Sequence, residues 1–172
     1  YGSDGFAGEI GHTIVEKNGR QCGCGRYGCL ETYVSTGGLI RTFFELLSKT
    51  NEISVLKEFP PNKITADLIY KAARNGDKLA ISAFEYTGQI LGEALANAVA
   101  FLSPEAVILS EGLASAGDLI VAPTKYYMEK NMLNLFQGKV EILVSGLPKG
   151  NVAILGASAL SWHEIHRNSK KL

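Results

Sequence analysis

The chain has 172 residues, with 17 Lys plus Arg against 17 Asp plus Glu, so its formal charge is zero. That balance argues against the basic face that nucleic-acid and anionic-membrane binders need. Apolar residues make up 46% and charged residues 20%, enough to bury one core, and no apolar run is long enough to span a bilayer.

Along the chain, Gly5 to Val15 reads as a glycine loop followed by a short extended stretch over Glu9 to Val15. Gly19 to Cys29 holds too many glycines for either regular period and reads as a knuckle. Leu30 to Lys49 then carries Leu39, Ile40, Phe43, Phe44 and Leu47 at helical spacing. Asn51 to Lys63 contains Pro60-Pro61 and is expected to be a loop. Thr65 is placed to cap a helix over Ala66 to Arg74, which Asn75-Gly76 ends. Asp77 caps the longest predicted helix, to about Leu102, on which Ile81, Phe84, Leu91, Leu95, Ala98 and Leu102 form an apolar stripe. Gly88 and Gly92 lie one turn apart on it and would admit a close neighbour. Pro104 stops this helix, and Ala106 to Leu109 follows as a short apolar strand. A helix over about Gly117 to Leu133, a strand over Val140 to Val144 and a last helix over Asn151 to His163 come next, then a solvated tail from Arg167 to Leu172. Helices alternating with short apolar strands predict an α/β sheet domain.

All three cysteines fall between Cys22 and Cys29, where a disulfide staple would spread them. Cys22, Cys24 and Cys29 with His12 make the ligand set of a closed, structural zinc site. The plainer alternative is three reduced thiols and a satisfied histidine. Gly23 to Gly28 also spells Gly-x-Gly-x-x-Gly, but polar residues precede it where the dinucleotide fingerprint needs an apolar strand, so it is a decoy. Glu9 and Glu31 flank the cysteine and histidine positions. They either converge on one polyol, whose hydroxyls carboxylates accept from strongly, or are two solvated surface acids. His163 and His166 read as a solvated helix face. Ser110-Glu111-Gly112 sits between a strand and a helix, where α/β folds bind nucleotides, though a ligand-free turn is as good a reading. No phosphate-binding Gly-x-x-x-x-Gly-Lys motif is present, and neutral charge disfavours a zinc-ribbon nucleic-acid module. No basic-then-apolar leader opens the chain, so a cytoplasmic location is expected. A start at Tyr1 rather than Met reads as a piece of a longer protein.

Glu9-Ile10-Gly11-His12, then nine residues, then Cys22-x-Cys24-Gly25-x-x-Gly28-Cys29-x-Glu31 resembles the signature of the ROK family of repressors and sugar kinases. Gly5 to Gly8 and Asn151 to Ala157 resemble it as well. The resemblance implies an actin-like ATPase (ribonuclease H-like) α/β fold, with residues 1–172 as a single domain, the C-terminal lobe carrying a structural zinc knuckle. The N-terminal lobe would be absent. It further implies that Glu9, His12 and Glu31 contact sugar hydroxyls, with His12 also ligating zinc. Ser110, Glu111 and Gly112 match a glycine run that approaches the adenosine of ATP. Ser110 and Glu111 replace glycines there, and a carboxylate would repel a nucleotide. The family's phosphate-binding segment and catalytic aspartate lie in the N-terminal half, so no catalytic residue is assigned in this chain. The fragment alone is expected to be inactive. A complete parent would use ATP and Mg2+ to phosphorylate glucose or a related hexose. The alternative is the sugar-sensing domain of a transcriptional repressor. Expected partners are a hexose, ATP and further copies of the chain, with no membrane and no direct nucleic-acid contact.

Overall fold

The computed structural model describes residues 3–148 and 150–169. The segment before Gly19 forms a three-ten turn over Ile10–His12 rather than the predicted extended stretch, and only Ile14 bridges to Cys29. The predicted helix from Leu30 to Lys49 is two helices, α1 (Glu31–Val34) and α2 (Thr36–Lys49). Ser35 divides them: its backbone is extended and its hydroxyl accepts from the Gly38 amide at 3.0 Å, an N-cap that restarts the helix. The loop from Asn51 to Lys63 contains two short three-ten turns, Val55–Glu58 and Pro61–Lys63.

Both predicted caps form. Thr65 accepts from the Leu68 amide at the start of α3 (Ala66–Arg74). Asp77 Oδ1 accepts from the Ala80 amide at the start of α4 (Lys78–Leu102). Its other oxygen accepts from the Ser54 hydroxyl at 2.7 Å and the Val55 amide at 3.0 Å, so the same cap anchors the preceding loop. The helix α4 ends at Ser103, whose φ of 45° is left-handed, just before Pro104.

Most of the packing is organised around α4. Leu39 and Phe43 of α2, Ile69 of α3, Phe84 of α4 and Ile120 of α5 (Asp118–Asn131) share one cluster. Each fully buried aromatic there contributes on the order of 3 kcal/mol of transfer free energy. The contact with α5 is close because Gly88 and Gly92 lack side chains. A Cβ on Gly88 would stand 2.6 Å from Pro123 Cγ, and one on Gly92 2.5 Å from the Thr124 carbonyl oxygen. The predicted apolar stripe is corrected at its ends, with Ile81 40% and Leu102 74% exposed. Buried residues run instead from Leu79 to Val99, on the faces of α4 that α2, α3 and α5 pack against.

The strands are β1 (Ala106–Leu109) and β2 (Glu141–Val144), paired in parallel with Ala106 opposite Glu141. Val107 and Ile142 face the cluster formed by Leu95, Val99 and Met128. On the alternate positions Ile108 is 65% exposed and Leu143 is also exposed, so one face of this sheet is bare. The helix α6 (Val152–Ser169) runs past His163 and also exposes apolar residues, Trp162 and Ile165 among them. His163 and His166 are exposed on it, as expected. The predicted tail from Arg167 to Leu172 is helical to Ser169; its last three residues lie outside the described ones. No helix among the described residues is long and apolar enough to cross a membrane.

Candidate functional site

The Cys-rich segment is a narrow hairpin. Cys22 N donates to the Arg26 carbonyl at 2.9 Å, Gly28 N to the Arg20 carbonyl at 2.8 Å, and Val15 N to the Gly28 carbonyl at 2.9 Å. Gly28 makes the last of these possible. Its φ is 78°, and a Cβ there would lie 1.7 Å from the Glu16 carbonyl oxygen, so no larger residue fits.

This folding brings the four predicted ligands together. The candidate ligand atoms of His12, Cys22, Cys24 and Cys29 all lie within 4.8 Å of one another. Cys22 Sγ is 3.7 Å from His12 Nδ1, and Cys24 Sγ is 3.6 Å from Cys29 Sγ. Tetrahedral coordination at zinc–sulfur distances of about 2.3 Å implies ligand separations of about 3.8 Å, which these two pairs match, and the whole set lies close enough to close around one tetrahedral ion. Cys22 and Cys29 are buried, His12 is half-buried and Cys24 is exposed.

The electrostatics of the cluster are uneven. The Cys24 amide favours the Cys22 thiolate, but the Glu31 carboxylate, burial and the two neighbouring thiols outweigh it, pushing the Cys22 thiol up to about 12. Arg26 works in the opposite direction on Cys24: its side chain and its backbone amide hold that thiol down to about 6. A divalent cation among the sulfurs would add the strongest local charge and favour all three thiolates.

Both predicted carboxylates reach this cluster. Glu31 Oε1 accepts from Cys22 Sγ at 3.1 Å, and Glu9 Oε2 lies 3.9 Å from His12 Nε2. The three-ten turn passes close to Glu31: a Cβ on Gly11 would stand 3.6 Å from Glu31 Cβ, an ordinary contact. Both acids are exposed to solvent. With Nδ1 turned towards Cys22, His12 keeps Nε2 free for Glu9 or an outside hydroxyl.

The second predicted site is elsewhere in the chain's packing. Ser110 and Gly112 are exposed at the end of β1, and Glu111 adopts φ 53° and ψ −172°, a region that belongs to glycine. Glu111 Oε1 accepts from the Gly150 amide at 3.0 Å. The carboxylate is thus engaged by the loop that follows β2. The small cavity beside it is lined by Ala114, Val144 and Val152, with no residue of the hairpin.

Two features escape sequence reasoning. A groove of about 680 Å³ runs between the Glu9 to Val15 segment and α4, bordered by Glu93, Asn97 and Phe101. Arg20 is 5% exposed and lies at the foot of the hairpin; nothing in its local sequence signals burial.

Three comparisons place this arrangement among known proteins. The ROK family profile matches residues 1–164. This chain belongs to the ROK family. The ROK chain is 32% identical over 165 residues to a glucokinase of Thermotoga maritima, covering 95% of this chain and 52% of that protein. It is 30% identical over 159 residues to the DNA-binding transcriptional dual regulator NagC of Escherichia coli, covering 92% of this chain and 38% of that one. Among solved structures, a ROK family glucokinase from Streptomyces griseus, in complex with glucose and AMPPNP, superposes with a TM-score of 0.79 at 28% identity, over 90% of this chain and 51% of that one. The ROK chain therefore spans about half the length of the glucokinases, and less of the regulator. The α/β fold is that of ROK sugar kinases. Relatives include both sugar kinases and transcriptional regulators.

Proposed function

We propose that this chain is the C-terminal, sugar-binding lobe of an ATP-dependent ROK sugar kinase acting on glucose or a related hexose. The observation that carries the reading is the convergence of Glu9 and Glu31 on one His–Cys cluster, both carboxylates open to solvent. Bound structural zinc would supply a rigid template, held by His12, Cys22, Cys24 and Cys29. Glu9 and Glu31 accept from adjacent sugar hydroxyls, and His12 offers Nε2 to a third. The glucose and AMPPNP bound by the Streptomyces griseus relative support a hexose and ATP as ligands of the whole protein.

The lobe reading also draws on the sheet. Parallel sheets are normally covered on both faces and rarely stand as two strands, yet β1–β2 has a bare face with Ile108 exposed. The additional length of the relatives is where such cover would come from. Within this reading the isolated chain holds a sugar but transfers no phosphoryl group, and ATP and Mg2+ act only in the completed two-lobed site, in the cytoplasm.

One observation favours a second reading, the sugar-sensing domain of a ROK transcriptional repressor. Glu111 stands in a glycine conformation and spends its carboxylate on Gly150, which suits a turn that no longer approaches a nucleotide at Ser110, Glu111 and Gly112.

The test is a coupled assay on the complete gene product with glucose, ATP and Mg2+, beside the 172-residue chain alone. Phosphorylation by the complete product and none by the chain is the expected result. A complete product that binds DNA, releases it on adding a hexose and consumes no ATP would replace the kinase with the sensor. Turnover by the isolated chain would remove the lobe reading.

A further inference from the structure

Arg20 belongs to the hairpin by its backbone and to the helices by its side chain. Its carbonyl accepts from the Gly28 amide, between the strands that present Cys22 and Cys29. Its guanidinium uses all five donors. Nε and Nη2 form a fork on Glu45 at 3.1 and 2.7 Å. Nη2 also reaches the Thr42 hydroxyl at 2.8 Å, and Nη1 reaches the carbonyls of Thr32 at 2.7 Å and Gly38 at 3.1 Å. The plane stacks 4.3 Å from the Tyr33 ring centroid, and the Arg20 amide donates to the Tyr33 hydroxyl at 3.1 Å.

These contacts matter because α1 has four residues, too few for a helix to hold itself. Its Glu31 carbonyl accepts from the Ser35 amide, while the Thr32 carbonyl is among the terminal acceptors a helix leaves without an internal partner. Arg20 supplies that partner and ties it to Gly38, Thr42 and Glu45 of α2. Among the described residues the guanidinium contacts the Glu45 carboxylate and the Tyr33 ring, Tyr86 also lies within reach of its charge, and Arg41 approaches Glu45 from the solvent side. A buried guanidinium adds little net stability over an apolar residue of the same size, because desolvation offsets the attraction. What it does supply is one geometry, set by a rigid fork.

We propose that Arg20 is a positioning residue that locks the metal hairpin to α1, so that Glu31 is presented at Cys22 in a fixed register. The consequence for sugar binding rests on the reading given above; the positioning itself does not. The lock acts through the Thr32 carbonyl, one residue beyond Glu31, and through the shared hairpin backbone that carries Cys22. It makes the hairpin and the start of α2 one rigid body.

The test uses the whole chain carrying Zn2+, with Arg20→Met, Arg20→Lys and Leu79→Ala. Leu79 is buried in the cluster of α2, α3 and α4, so its truncation destabilises the fold away from the hairpin. Two readouts are taken well below the melting temperature: hydrogen exchange of the Thr32 to Ser35 amides, and the rate of zinc transfer to a chromophoric chelator. Arg20→Met is expected to speed both about tenfold, the scale seen when an outer-shell partner of a metal site is removed. Arg20→Lys should fall with Met, since one ammonium cannot bridge four acceptor groups. Leu79→Ala should leave both rates unchanged at an equal or larger drop in Tm. If Leu79→Ala moves them as much as Arg20→Met does, Arg20 only stabilises and the proposal is overturned. It is also overturned if Arg20→Lys behaves as wild type, or if Arg20→Met leaves α1 exchange unchanged. Should Arg20→Met fail to fold, Glu45→Gln must give a smaller change in the same direction, and no change there overturns the proposal. Zinc-loaded wild type that binds no hexose would remove the sugar reading and leave this result intact.

Discussion

The hairpin and the helical body are held together by different physics. In the body, apolar side chains repeat at helical spacing, and α2, α3, α4 and α5 bury them in shared clusters. In the hairpin, every residue from Gly23 to Tyr27 is exposed and no apolar core exists. Its shape comes from backbone hydrogen bonds, from glycines where only a glycine fits and from the Arg20 fork, which together gather His12, Cys22, Cys24 and Cys29 at one point. A body of this kind degrades gradually as contacts are removed. A knuckle of this kind depends on a few groups, each of which matters a great deal. A small cluster after the hairpin, Leu30 and Tyr33 with Ile90 and Ala94 of α4, is the joint between the two regions.

That contrast breaks most sharply at a ligand. Replacing Cys29, which is fully buried, by Ser should lower zinc affinity by about two orders of magnitude or more, because a tetrahedral site depends on every ligand. Far-ultraviolet circular dichroism should still report a folded helical body. Competition with a chelator of known affinity measures the first, and loss of the helical signal would show that the two regions are not separable.

The converse is a blow to the body. Phe84→Ala, at a side chain 1% exposed, should reduce stability by about 3–5 kcal/mol while zinc stays at one equivalent per folded chain. Urea unfolding with metal analysis of the folded fraction tests both parts. A smaller penalty, about 1–3 kcal/mol, is expected for Gly92→Ala, because the added methyl meets the Thr124 carbonyl and the Met128 amide, which belong to backbone.

The smallest effect sharpens the joint. The Glu45 carboxyl is opposed by burial, but the hydrogen bonds and charge of Arg20, with Arg41 and Lys49 adding, hold it below the usual carboxylate range. Its contribution is therefore complete above the unfolded-state pKa and is lost as pH falls through the lower folded value. The stability difference between wild type and Glu45→Gln should be constant near neutrality and shrink below about pH 4.5, as the ordinary carboxylate range is crossed. Urea midpoints taken across that range would show it, and a difference that grew on acidification would reverse the assignment.

The hairpin's candidate ligands were legible because Cys and His have few other uses at that spacing. Its neighbours were not equally legible. The stretch from Glu9 to Val15, short and of mixed polarity, reads as extended, yet it turns at Ile10–His12 to place His12 beside Cys22. Arg20 sits in a polar, glycine-flanked run that looks solvated, and its partners Thr42 and Glu45 lie more than twenty residues away. No local pattern signals such a pairing. Likewise Ile81 and Leu102 fit the stripe on α4 but are exposed: beside Ile81 it is Leu79 and Ala80 that are buried, because where α2 and α3 pack, and not the spacing alone, decides which face is covered.

From the residues alone came the helices with hydroxyl or carboxylate caps at Thr65 and Asp77, the two apolar strands, the close approach at Gly88 and Gly92, and the candidate ligand set. Each of these follows from interactions within a few residues or from the chemistry of one side-chain type. Only the tertiary structure decided that α1 and α2 part at Ser35, that Arg20 is buried, that Glu31 meets Cys22, and that one face of β1–β2 stays bare. These depend on where distant segments meet, and that is set by the packing of the whole chain rather than by any window of it.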